Sequence, residues 1–149
     1  MVRKEDMSMA REVDDRILTI CAWIFVSIAT TFAAQGALEG LPRHGTDLSW
    51  PDHARFHVTF AAFVQIGYCM MTATVALVPF RRGERWSWWA LFGFFVFGGL
   101  SLVPAALWQG SGPQAHFAIP IALTFAAGFT ALVLSRKVGF PNLLDPQSE

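Results

Sequence analysis

WSWWALFGFFVFGGLSLVPAALWQGSGPQAHFAIPIALTFAAGFTALVLS, running from Trp86 to Ser135, contains no Asp, Glu, Lys or Arg. The chain around it has 149 residues, 54% hydrophobic and 15% charged, with 11 basic side chains against 11 acidic. Charge this sparse and balanced excludes a disordered chain and a nucleic-acid partner. Its concentration outside one long apolar stretch marks membrane spans, with the lipid bilayer as the surrounding partner. Gly110-Ser111-Gly112-Pro113 divides the stretch at a tight turn, leaving spans at 86–109 and 116–135. Toward the N-terminus two more apolar segments follow, 57–80 between Arg55 and Arg81, and 17–38 between Arg16 and Glu39. Each is about 20 residues or slightly more, the helical length that crosses ~30 Å of hydrocarbon. None shows the alternation of a barrel strand. The expected fold is therefore all-α, an integral membrane four-helix bundle occupying 17–136, with tails at 1–16 and 137–149.

Orientation follows from Lys and Arg. Nine of them (Arg3, Lys4, Arg11, Arg16, Arg81, Arg82, Arg85, Arg136 and Lys137) fall on one side, and only Arg43 and Arg55 on the other. That bias predicts a multi-pass inner-membrane protein with both termini cytoplasmic and the 39–56 connection outside. Trp86, Trp88 and Trp89 then sit at the inner interface, and Trp50 and Trp108 at the outer one. The first apolar run is longer than a signal-peptide core and no Ala-x-Ala site closes it, so the first span is read as retained. The polar segment 1–15 suits a short interfacial helix or a disordered tail. Pro79 ends the second span, while Pro104 and Pro120 lie inside the third and fourth, where each can kink its helix. Cys21 and Cys69 differ in depth by roughly 10 Å at 1.5 Å rise per residue, too far for a disulfide, and read as small apolar packing residues.

No nucleotide loop, dinucleotide fingerprint, Cys-x-x-Cys or nucleophile elbow is present. The chemistry-bearing residues gather instead at the outer end. His44, His53, His57 and His116 all map there, with Glu39, Asp47 and Asp52. Pro51 and Asp52 suit the first turn of a helix, on which His53 and His57 are i,i+4 neighbours. The same face continues inward through Ala61, Gln65, Tyr68 and Thr72. On the first helix Ser27, Thr31, Gln35 and Glu39 form a matching ladder, expected to face the same interior. Gly36 and Gly40 allow close approach to a neighbouring helix. Asp52, His53 and His57 are the candidate acid–base groups, since imidazole beside a carboxylate can move protons. His53, His57 and His116 are a candidate transition-metal site. Histidines from facing helices also suit a haem or a chlorophyll-type pigment. A lipophilic ligand would be lined by Tyr68, Gln65, Gln35, Glu39 and Trp108. Against each stands a plainer reading: His and Asp near a helix start cap it or meet headgroups, and polar stripes hold membrane helices together. The aromatic third helix reads as lipid contact and packing, or as a wall for a flat ligand.

Four spans with both ends inside, and the Asp52-His53-Ala54-Arg55-Phe56-His57 stretch opening the second, resemble small DoxX-like membrane proteins of bacteria. The architecture from Ile17 to Ser135 is also similar to EXPERA-type bundles, which include sterol isomerases and lipophile-binding receptors. The resemblance implies a bundle that handles a lipophilic small molecule. The deep acidic residues of such isomerases have no counterpart here, where the deep positions are Gln65 and Tyr68.

Three functions follow as expectations. The first is a binder of a small lipophile such as a quinone, polyketide, terpenoid or lipid, in an outward-facing His/carboxylate pocket with or without catalysis. The second is a non-catalytic accessory subunit of a larger membrane complex, holding haem or pigment. Self-association into a homo-oligomer is compatible with both. The third, a transporter or channel, has the least support, because there is no inverted repeat and no continuous charged path.

Overall fold

The computed structural model describes the backbone of residues 4–46, 48–108 and 115–140, and the side chains of 12–38, 41–42, 46, 48–98 and 122–140. The described residues are helical with no strand, as the absence of any alternating pattern predicted. They form α1 (Lys4–Gln35), α2 (Asp52–Val75), α3 (Arg85–Trp108) and α4 (Ala115–Val138). The polar N-terminal segment is continuous with α1 from Lys4 onward, so it is neither a separate interfacial helix nor an irregular tail over that range. α2 starts at Asp52, five residues before its apolar run, because Pro51 brings the fixed φ of a helix start and Asp52 places a carboxylate in the first turn.

Two π-helical segments extend α1 and α2, Gly36–Gly45 and Ala76–Phe80, and each contains a proline. A proline ring collides with the carbonyl four residues back and offers no N–H. For Pro79 that carbonyl belongs to Val75, where α2 stops and the wider coil begins. The looser winding makes room for the ring without breaking the rod. Gly36 opens the first such segment against α2: a Cβ there would lie 3.5 Å from Ile66 Cγ1 and 3.6 Å from the Ala62 carbonyl oxygen.

The helices pack as a ring in which α1 lies between α2 and α4, and α3 closes the circle. Among the described residues the α2–α3 seam is the loosest of the four. One half of the interior is solid. Leu18, Cys21, Phe25, Val75, Phe80, Trp88, Leu91, Leu132 and Phe140 form a continuous core there. Phe25 meets Phe80 edge-on at 5.6 Å between centroids, and Phe140, just past the end of α4, covers Phe80 at 5.5 Å. Both cysteines are buried and unlinked, in keeping with a packing role.

The turn between α2 and α3 is held by its backbone. Arg82 and Glu84 N–H groups donate to the Pro79 carbonyl at 3.1 Å, and Gly83 donates to Phe80 at 3.0 Å. Gly83 takes φ of +73°, which only glycine adopts without cost. Trp88, placed by its sequence neighbours at an interface, is buried, and its indole N–H donates to the Leu132 carbonyl at 3.1 Å, joining α3 to α4. Trp86 and Trp89 are exposed.

Two stretches, Glu12–Leu38 and Asp52–Phe80, are long and apolar enough to cross a membrane. In each, only 28% of the most apolar window is buried, and many large apolar side chains face outward. Ile20, Trp23, Phe56, Phe60, Phe63, Met70, Met71 and Phe97 are among the large hydrophobic residues left exposed.

Candidate functional site

The half of the bundle beyond the solid core is hollow. A cavity of about 630 Å³ lies among all four helices. α1 contributes Ile28, Ala29, Phe32, Gln35 and Gly36, and α2 contributes the face from Val58 to Thr72. α3 adds Phe94, Phe95, Phe97 and Gly98, and α4 adds Thr124 and Phe125. Small residues account for the hollow: Ala29, Gly36, Ala61, Ala62 and Gly98 stand where larger side chains would meet. The lining contains no charged residue and no histidine among the described residues. Val64 and Phe97 line the cavity while remaining mostly exposed, so its mouth lies along the loose α2–α3 seam.

Its polar groups are neutral and largely committed to neighbouring helices. Gln65 donates its amide to the Phe32 carbonyl at 2.8 Å, tying α2 to α1. The Tyr68 hydroxyl donates to the Phe94 carbonyl, tying α2 to α3. Thr72 turns its hydroxyl back on the Tyr68 carbonyl at 2.9 Å. In each bond a backbone carbonyl accepts from a side chain, so α2 is fastened on both flanks. Gln65 and Tyr68 therefore hold helices together and also present atoms to the hollow.

Among its described members, Ser27, Thr31 and Gln35, the ladder expected on α1 reaches the cavity at Gln35. Ser27 and Thr31 are exposed, and the Thr31 hydroxyl returns to the Ser27 carbonyl of its own helix at 2.9 Å. A four-residue step overshoots a full turn by about 40°, so three steps carry the ladder roughly a third of the way around the helix. The side chains of Glu39, Trp108 and His116 lie outside the described residues, as do those of His44 and Asp47.

His53 and His57 stand next to the cavity but outside it. Both are exposed, on the face of α2 that runs down to Ala61, which does line the cavity. Their Nε2 atoms are 3.1 Å apart and their rings meet edge-to-face, with centroids 4.3 Å apart. Asp52 does not serve them, because its exposed carboxylate accepts from the Arg55 guanidinium. The Arg55 Nε is enclosed without a hydrogen-bond partner. Among the described residues no three His, Cys, Asp or Glu side chains converge as a metal site; of the proposed trio the α2 pair is described, and the His116 side chain lies outside the described residues. The histidines and the hollow are thus two neighbouring features, where the sequence pattern suggested one.

Set against family models, curated proteins and solved structures, the chain matches none.

Proposed function

We propose that the chain is a multi-pass four-helix membrane protein that binds a small, neutral lipophile in the cavity between its helices. Both termini lie in the cytoplasm, as the nine-to-two Lys/Arg bias directs. The observation that carries the reading is the hollow itself: about 630 Å³, walled among the described residues by five phenylalanines and small aliphatic residues, with amide, hydroxyl and thiol groups as polar contacts. Ligand sites have this size and this ratio of apolar wall to fixed polar groups. Among the described residues the wall carries no charge, so it favours a neutral ligand over a charged one, whose desolvation those residues would not offset. The outward apolar side chains suit lipid as solvent, since a water-facing surface rarely keeps so many together. A ligand then enters from the bilayer through the α2–α3 seam, and the Gln35 amide lies at the end nearest the histidines to meet its polar head.

The test is retention and uptake of a lipophile. Protein purified in mild detergent is extracted with organic solvent and analysed by mass spectrometry, then offered a short-chain quinone and a sterol. Wild-type protein should retain or take up one such molecule per chain, and Ala61→Phe, which fills the mouth, should not. Equal occupancy in both proteins, or none in wild type after both probes, overturns the reading.

A further inference from the structure

We infer that His53 and His57 form a clamp for a divalent transition-metal ion on the first turns of α2. This site is independent of the cavity and does not rest on lipophile binding. The inference comes from the distance between donor atoms. Zn²⁺ holds imidazole nitrogens at about 2.0–2.1 Å, so two Nε2 atoms 3.1 Å apart subtend about 100° at a shared ion. That angle lies between the right angle of an octahedral ion and the tetrahedral angle. The helix sets the spacing, because residues four apart lie one above the other on one face. No backbone movement is needed, and small rotations of two exposed rings bring both lone pairs onto the ion.

The surroundings permit a cation. Asp52 and Arg55, the charges flanking His53, are paired with each other. Both imidazoles are exposed, so an ion arrives without opening the fold and water fills its remaining positions. Two neutral nitrogen donors favour Ni²⁺, Cu²⁺, Co²⁺ or Zn²⁺ over Mg²⁺ or Ca²⁺, which take oxygen ligands. Without metal, one Nε2–H donates to the other Nε2. On binding, the donor ring transfers its proton to Nδ1 through solvent, so two neutral rings release no proton and each imidazolium releases one. With two protein ligands the site is open and exchangeable, unlike a closed four-ligand structural centre.

The test uses the full chain, without a polyhistidine tag, in lipid nanodiscs. Co²⁺ is titrated and followed by visible absorption, and Ni²⁺ by calorimetry. Wild type should bind one ion per chain, and His53→Ala and His57→Ala should each bind about tenfold more weakly or worse. Even outer-shell partners of a metal ligand cost that much when removed. The variant His57→Ala/Thr59→His keeps two histidines but sets them about 120° apart around the helix, where one ion cannot join them, and it should bind as weakly as His57→Ala. Circular dichroism checks that each variant keeps its helix content. No stoichiometric ion on wild type, affinities within about twofold of wild type in both single variants, or full affinity in the relocated variant would each overturn the inference.

Discussion

Gly128 of α4 supports the ring of Phe95 of α3, and replacing it with alanine tests how the two helices pack. A Cβ at position 128 would lie 2.0 Å from Phe95 Cζ and 2.1 Å from Cε1, so the ring must leave. It is held edge-on by Phe25 at 5.5 Å and by Phe125 at 5.6 Å, and the free direction is into the cavity it already lines. Two effects oppose each other. Alanine favours a helix interior over glycine by about 1 kcal/mol. Displacing a packed ring costs about 1–3 kcal/mol, and parting each edge-to-face ring pair costs about 0.5–1.5 kcal/mol more. Gly128→Ala should therefore destabilise by about 1–5 kcal/mol net, the upper end applying if both ring pairs part. The assay is reversible unfolding by SDS titration in mixed micelles, repeated in a Phe95→Ala background. There the obstruction is gone, and Gly128→Ala should stabilise by about 0.5–1 kcal/mol through helix propensity alone. A substitution with the same sign and size in both backgrounds would refute the packing argument, because only the ring makes the two backgrounds differ. The displaced ring should also shrink the cavity, so lipophile uptake should fall in the single variant and return in the double.

Tyr68→Phe keeps the ring but frees the Phe94 carbonyl from its cross-helix donor. It should cost about 0.5–1.5 kcal/mol in the same titration with helix content unchanged, and an unmoved midpoint would show that the phenol does not join α2 to α3. Gly83→Ala meets nothing closer than the Gly139 carbonyl oxygen at 4.0 Å, so its cost is purely the backbone penalty at φ +73°, about 1–2 kcal/mol. Gly83→Asn should be milder, because asparagine tolerates that conformation, and equal midpoints for the two variants would contradict this. Cys21 and Cys69 are buried, and Cys69 lines the uncharged cavity, so a charged, water-soluble maleimide should leave the folded protein unmodified and label both after SDS unfolding. Rapid labelling of the native protein would place either thiol at the surface.

Much of the helical framework is legible in charge alone. Arg16, Arg81, Arg85 and Arg136 lie at or near the ends of uncharged runs, and no run alternates as a strand would, so the number of long helices follows. Other features depend on packing that no local pattern encodes. Pro42 and Pro79 mark places where a helix must yield, but a widened coil and a clean break look alike in sequence, and neighbouring helices decide between them. Trp88 shares its interfacial composition with Trp86 and Trp89, and only its angular position turns it inward to the Leu132 carbonyl. The stripe on α2 is half legible. Gln65, Tyr68 and Thr72 do reach the interior, whereas His53 and His57, on the same face, stay exposed. A face can be read from periodicity, but how far along it the neighbours extend cannot.

The stack of Leu18, Phe25, Phe80 and Phe140 across one end of the bundle makes the hollow a blind alley. On the reading proposed above, a guest that enters along the seam leaves by it too, and its dwell time depends on how readily α2 and α3 part. On that reading the bundle is a place where a hydrophobic molecule halts, and the packed aromatic end bars it from that side.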